Sequence, residues 1–469
     1  MVKILERDIL VVGGGFVGMS AAAALASRGA RVTVLETLPG PVSQFRGELI
    51  HPRGVRALNS LGLLDPLLRA GAVGVEGFAA CPGEGDAACI LPYPTHGGHG
   101  LGIDHGKMVM ALRREVSRRP NVTLRQQARV DDVVREGDRV CGVRLADGTV
   151  LEADLVVAAD GRYSRLRKCI GLEPEVQLVS YTVAVSCEGP VLPWGMRGHV
   201  FLGAPGPILA YPYGSNLTRM CIDVPAGLAR GKDGYVKLIR EQYARYVPEP
   251  LRSAMLHSLA HHPFEACATH VVETEACAAP GIALVGDAGG CTHPLTAGGM
   301  TTGMNDVLTL AECLAEGDHG DGALAEYQKQ RYRFIRMRSM FTEALYEVFR
   351  GTDAGSKTLQ AGVFRYWKGS ARARKSSMGI LSGDESRPVV FMTEYARVLG
   401  LSTLDVLDGL IAEPSVRGGY ARMKSLLKTS LGRLEVSGKK TVRMLWQVPR
   451  MRLKPVPTPA AAPRRQRVA

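Results

Sequence analysis

DILVVGGGFVGMSAAAALASRGARVTVLE, residues 8–36, decides the fold. DILVV (8–12) is a short continuous apolar run, the pattern of a strand buried on both faces. Gly13-Gly14-Gly15 ends it, MSAAAALASRG supplies strong helix formers and RVTVLE reads as a second strand, so the stretch forms one βαβ unit. Within it, Gly13-x-Gly15-x-x-Gly18 falls at the turn from strand to helix. The first glycine allows the turn, the second lets the backbone approach a pyrophosphate, and the third lets helix and strand pack closely. A helix N-terminus there presents free N–H groups and about half a positive charge to the phosphates. Glu36 closes the second strand, where an acid can hydrogen-bond ribose hydroxyls. The unit therefore predicts a Rossmann-type dinucleotide site in an α/β chain, without choosing between NAD and FAD.

The rest of the 469 residues divides by pattern. Residues 122–160 alternate in polarity around an Asp147-Gly148 turn and predict a meander that returns to a buried strand. Residues 176–279 are strand-like and rich in Pro and Gly, which reads as a separate antiparallel sheet. IALVGD then gives a buried strand, followed by a glycine loop and a long helix starting near Gly298-Gly299-Met300. The expected organisation is a discontinuous nucleotide domain (1–70, 100–170 and 281–325) and a substrate-binding sheet domain (71–99 and 171–280). A basic helical region (326–448) and a disordered Pro/Ala/Arg tail (449–469) follow.

The net charge is +13, but residues 331–469 hold 27 Lys+Arg against 10 Asp+Glu, or +17, which leaves the first 330 residues at −4. The tail lacks interleaved aromatics, which argues against nucleic acid as a partner. With no run of 18 apolar residues, membrane contact would be peripheral. Val416, Tyr420, Met423, Leu427, Leu431 and Leu434 recur at three- and four-residue spacing among cations, the pattern of a basic amphipathic helix. Ten scattered cysteines without a CxxC pair, and a start that runs directly into a strand, point to a reduced, cytoplasmic protein. His257-x-x-x-His261-His262 lacks the acid of an HExxH motif, so no metal is expected. Neither a GxSxG nor a second GxGxxG occurs.

DLVVAADGRYSRLRK (154–168) and GIALVGDAGGCTHPLTAGGM (281–300) resemble the DG and GD motifs of the class A flavoprotein monooxygenase superfamily. GELIHPRGVRALNSLGLLD (47–65), LPYP (91–94), DHGKMVMALRR (104–114), HPLTAGGM (293–300) with Asp306 in the next helix, and ALYEVFRGTD (344–353) resemble its squalene monooxygenase branch, collinearly over about residues 7–380. The resemblance implies a glutathione-reductase-like FAD-binding domain. It places FAD contacts at Gly13, Gly15, Phe16, Val17, Gly18, Glu36, Thr37, Arg113, Val130, Asp160, Asp287, Pro294, Gly298, Gly299 and Met300. In the family the aspartate at 287 accepts a hydrogen bond from the ribityl chain, and the N–H groups at 299–300 face the N1/C2 side of the isoalloxazine. An arginine is expected ahead of Glu48; Arg46 stands two positions nearer the acid than the family's arginine, and an ungapped alignment puts Gln44 there.

The departures concern the substrate. His51 stands where the family commonly has Gln, and Phe78 where it has Tyr, so both are substrate-pocket candidates; no residue is assigned as an acid or base. The family's strongly hydrophobic C-terminal helices are replaced by short apolar stretches mixed with cations. The resemblance implies an epoxidase of a hydrophobic isoprenoid or polyene, acting with O2 through a flavin C4a-hydroperoxide. Electrons would come from NAD(P)H directly or through a flavoprotein reductase. The alternative is an aromatic or quinone hydroxylase acting on a prenylated or polyketide ring, a reading that His51 favours.

Overall fold

The computed structural model describes residues 7–40, 45–94, 98–316, 320–412, 421, 423–430, 439, 448 and 451–457. Asp8–Val12 is the hub of a six-stranded sheet. It pairs in parallel with Arg31–Leu35 on one side and Leu155–Ala158 on the other, in register Ile9↔Leu155 and Asp8↔Arg31. Val122–Arg125 and Ile282–Leu284 extend the sheet in parallel, and Ala278–Ala279 closes one edge antiparallel. The helix Phe16–Ala26 is buried along nearly its whole length against this sheet and the Gly299–Glu316 helix. An alanine-rich surface permits that close approach, since methyl groups keep the helix axis near the strands. The Asp147-Gly148 meander forms as expected from Val130–Glu136, Arg139–Leu145 and Val150–Glu152.

The second layer is a seven-stranded sheet. Its order is Glu265–Glu273, Glu175–Glu188, Leu217–Pro225, Ile208–Gly214, Gly198–Phe201, Gly77–Cys81, Cys89–Pro92. All pairings are antiparallel except Gly198–Phe201 with Gly77–Cys81, which run parallel. These two strands come from distant parts of the chain, so no hairpin dictates their relative direction.

Among the described residues the helices Asp321–Arg350, Ala354–Gly369, Ala371–Ser382 and Pro388–Ala412 follow Gly320, and residues 423–430 are helical as well. The first runs unbroken through residue 325, where the sequence reading ended the nucleotide domain. One apolar cluster joins Phe78, Leu91 and Val200 of the sheet to Tyr346, Trp367 and Val398 of these helices, so sheet and helices share a core. Residues 451–457 belong to the stretch expected to be disordered. Instead Val456 is buried, Leu453 packs on the nucleotide-side core and Pro457 meets Gly171, because the few apolar residues among the cations find sites there. Of the amphipathic 416–434 segment, residues 421 and 423–430 are described. Leu426 is buried and Met423 packs beside it, whereas Leu427 faces out. Among the described residues no helix is long and apolar enough to cross a membrane.

Candidate active site at the glycine turn and the 293–300 loop

The three glycines do different work. A Cβ on Gly18 would lie 1.8 Å from the Gly13 carbonyl oxygen, and one on Gly13 (φ +109°) 2.3 Å from that of Ala159. Both are packing glycines. A Cβ on Gly15 would meet nothing within 4 Å, so the space ahead of the helix Phe16–Ala26 is open. Phe16 is buried behind the turn, and Val17 packs against Gly286 and Gly303, fastening the first helix to the GD loop.

Beside the turn, the Glu36 carboxylate accepts from the Gly14 N–H (2.8 Å) and the Leu38 N–H (2.8 Å) and pairs with Arg113 at 2.9 Å. Arg113 is buried and also donates to the carbonyls of Gly14 (2.8 Å) and Gly40 (3.3 Å). Its guanidinium therefore braces the loops around Glu36. Val130 is buried at the start of the meander, after the strand Val122–Arg125, and Thr37 is exposed next to Glu36. Arg46 is exposed, and Gln44 lies outside the described residues.

The DG and GD segments meet. Asp160 caps the short helix Arg165–Cys169 through one oxygen, accepting from the N–H groups of Arg165 and Leu166, while its other oxygen is buried without a partner. The Nε of Arg162, also without a hydrogen bond, lies 4.0 Å from Asp287. The Asp287 side chain is 39% exposed, and no hydrogen bond reaches it among the described residues. Its loop is held from beneath by a buried ion pair that the sequence reading missed. Asp306 accepts from Gly286 N–H (2.9 Å) and Arg331 Nε (2.8 Å), and Arg331 donates to the carbonyls of Gly289 (2.7 Å) and Gly286 (3.1 Å). Burial pushes the Asp306 carboxyl up, and Arg331 opposes that shift.

The 293–300 loop leads into the helix Gly299–Glu316. Pro294 is exposed, Ala297 is left-handed at φ 47°, and a Cβ on Gly299 would meet nothing within 4 Å. A Cβ on Gly298 would lie 2.6 Å from Arg338, and Met300 sits against Gly47. His293 anchors the loop's start: its Nδ1 accepts from Leu295 N–H (3.1 Å), and its Nε2 faces Asp223 (3.4 Å) and Ser180 (3.2 Å). Tyr346 donates to the same Asp223 at 2.8 Å and lies over the His293 ring. Arg338, buried, bonds Thr296 Oγ1 and the carbonyls of Ile380 and Leu381, tying loop to helices. A second missed pair, Glu48 with Arg219 (2.8 Å twice), lies on the strand side, next to Tyr211.

His51 is fully buried. Its Nε2 meets the Thr296 carbonyl and its Nδ1 the Tyr93 hydroxyl, both at 2.7 Å. The carbonyl can only accept, so Nε2 carries the proton and Nδ1 accepts from Tyr93. The phenol that Phe78 lacks is thus supplied to this spot by Tyr93, whose ring stands edge-on to Phe78 at 6.3 Å. Burial lowers the His51 pKa to about 4.

A histidine kept neutral in the fold stabilises it fully above pH 6.5, and that contribution is lost as pH falls from 6.5 towards 4, because the unfolded chain binds the proton first. The expected loss is about 3 kcal/mol. His51→Gln, whose amide can donate and accept at the same two places, should flatten that part of the slope in urea unfolding between pH 4 and 7. His199, also lowered to about 4 by burial, retains its own share. An unchanged slope in His51→Gln would refute the assignment.

The residues fit a flavin dinucleotide. Open space lies ahead of two helix N-termini, at Gly15 and Gly299, and uncommitted polar atoms of Asp160, Arg162 and Asp287 lie nearby. This fold and site define an FAD-dependent oxidoreductase of the flavin monooxygenase class. The family model for FAD dependent oxidoreductase matches residues 8–76. Among solved structures, p-nitrophenol 4-monooxygenase PnpA from Pseudomonas putida superposes with a TM-score of 0.67 at 22% identity, covering 82% of this chain and all of that one. HpxO of Klebsiella pneumoniae, complexed with FAD and uric acid, gives 0.66 at 20% identity, covering 80% and 97%. At such identities the likeness is one of fold.

The family is narrower. The squalene epoxidase model matches residues 152–413. Squalene epoxidase erg1 of Aspergillus fumigatus is 30% identical over 420 residues, 85% of this chain and 86% of that protein. Squalene monooxygenase of Mus musculus is 28% identical, covering 84% and 71%. The chain belongs to the squalene epoxidase family and is a flavin-dependent monooxygenase that binds FAD.

Proposed function

We propose that the protein epoxidises a carbon double bond of a hydrophobic isoprenoid or polyene. The observation that carries this is an apolar cavity between the seven-stranded sheet and the C-terminal helices, which reaches Leu295 of the 293–300 loop and Phe78. FAD, when bound and reduced, supplies the oxygen chemistry with O2, and electrons come from NAD(P)H directly or through a flavoprotein reductase. The protein's part is to hold the flavin and keep water out. Gly15 and the N–H groups behind it receive the pyrophosphate, Asp287 the ribityl hydroxyls, and the Gly299 and Met300 N–H groups the N1/C2 edge. Glu36, steadied by Arg113, takes the adenosine ribose. The His293 and Arg338 contacts fix the 293–300 loop between flavin and cavity.

The aromatic hydroxylase reading needs a base at the flavin end, and His51 cannot serve as one while both ring nitrogens are bonded to Thr296 and Tyr93. The basic region 326–448 is the part that would meet a membrane surface. The deciding experiment incubates the FAD-loaded protein with a reductant, O2 and a panel of polyenes and prenylated aromatics, followed by mass spectrometry. The expected product gains one oxygen and loses one alkene. Ring hydroxylation with every alkene retained would overturn the proposal.

A further inference from the structure

The cavity lining is apolar apart from a few polar side chains contributed by the C-terminal helices. Phe78, Leu91 and Leu295 line it on the sheet and loop side, where the flavin loop lies. The helices Ala354–Gly369, Ala371–Ser382 and Pro388–Ala412 contribute Tyr366, Ser377, Glu394 and Tyr395 among apolar neighbours. Among the described residues Glu394 is the one charged residue of the lining, and it is 9% exposed. Its carboxylate pairs with Arg397 at 2.7 Å and accepts from the Tyr366 hydroxyl. An ionised carboxylate has about four acceptor sites, so capacity remains. Ser377 Oγ accepts from Trp367 Nε1 at 2.9 Å, and its own O–H has no acceptor among the described residues. The buried hydroxyls of Tyr395 and Ser430 have no hydrogen-bond partner among the described residues.

A pure hydrocarbon filling this space would dry these groups without replacing their hydrogen bonds with water, which costs binding free energy. An anionic end group would find no free cation among the described residues of this lining, since Arg397 is already paired with Glu394. A neutral hydroxyl suits this lining, because it can donate to Glu394 or accept from Ser377. Resting on the epoxidase reading above, we infer that the substrate is an amphiphilic polyene alcohol, whose hydroxyl binds among these polar side chains while a double bond further along the chain lies at the Leu295 end. Glu394 and Ser377 then act as specificity residues, setting which end of the polyene meets the flavin.

The test compares geranylgeraniol with the hydrocarbon that lacks only its hydroxyl, using FAD-loaded protein. Binding is read from flavin fluorescence and, separately, turnover from product mass. Wild type should bind the alcohol at least about tenfold tighter, since a site built to hydrogen-bond a hydroxyl discriminates against its absence. Glu394→Leu, which removes the acceptor, and Ser377→Ala, which removes the donor, should each bring that ratio to within about threefold of unity. The two variants remove opposite kinds of contact, so Ser377→Ala still decides the matter if Glu394→Leu does not fold. No preference in wild type, or variants that weaken both ligands equally, would overturn the inference. A clear alcohol preference with no epoxide formed would instead overturn the proposed reaction and leave the polar contact standing. Epoxide from both ligands without preference does the reverse.

Discussion

Gly15→Ala is expected to weaken FAD binding at least about tenfold while hardly changing the stability of the flavin-free protein, whereas Gly18→Ala should damage both. Gly15 has φ −81° and ψ −168°, extended backbone that alanine adopts freely. Alanine is a poorer N-cap than glycine, which sets the cost to the flavin-free protein at about 1 kcal/mol or less. Its methyl group would enter space that no protein atom occupies within 4 Å, so only what comes into that space is disturbed. At Gly18 the added carbon would sit 1.8 Å from the Gly13 carbonyl oxygen and 3.3 Å from the Ala159 side chain. Relief requires the helix to move off the strand or the turn to deform. Such overpacking costs about 1–3 kcal/mol or more, against about 0.5–1 kcal/mol gained by replacing glycine inside a helix. FAD titration into flavin-free protein and thermal unfolding of the same samples separate the two effects. Gly15→Ala that binds FAD like wild type would show that the pyrophosphate lies elsewhere.

The glycine turn was legible because its information is local: a strand, three glycines and a helix within 19 residues, Asp8 to Ala26. The position of Asp287 in a turn just after a buried strand was legible for a similar reason. What the sequence hid depends on segments far apart. The pairing of Gly77–Cys81 with Gly198–Phe201 joins strands with no connecting turn between them, so alternation could suggest strands but not their order. His51 read as a substrate-pocket candidate favouring a hydroxylase; its burial, and its bonds to Tyr93 and to Thr296, 245 residues away, come from the fold. The +17 of the C-terminal region likewise overstated its surface charge. Arg331 and Arg338 are 2% and 3% exposed and work inside the protein, one under the GD loop and one on the 293–300 loop. Charge counting sees an arginine on a helix as solvated; only packing shows which carbonyls and carboxylates receive it.

Asp306→Ala and Asp287→Ala should separate the support of the flavin loop from its contact with flavin. Asp306 is 0% exposed and Arg331 2%. Removing the carboxylate leaves a buried guanidinium uncompensated and strips the Gly286 N–H of its acceptor, a loss expected to cost about 3–5 kcal/mol. Arg331 also holds the carbonyls on both sides of Asp287, so its displacement should loosen the loop and lower FAD occupancy as a consequence of lost stability. Asp287 differs in every respect that matters to the empty fold: its side chain is 39% exposed, accepts no hydrogen bond among the described residues, and lies 4.0 Å from Arg162. Its replacement by alanine should therefore leave the flavin-free protein within about 0.5 kcal/mol of wild type while FAD retention falls steeply. Asp306→Asn keeps an acceptor for Gly286 but not the charge, and should fall between the two. Urea unfolding of the flavin-free forms, with FAD content measured on the proteins as purified, gives both axes. Equal stability losses for Asp306→Ala and Asp287→Ala would refute the clamp, and full flavin content in Asp287→Ala would remove that carboxylate from the ribityl contact.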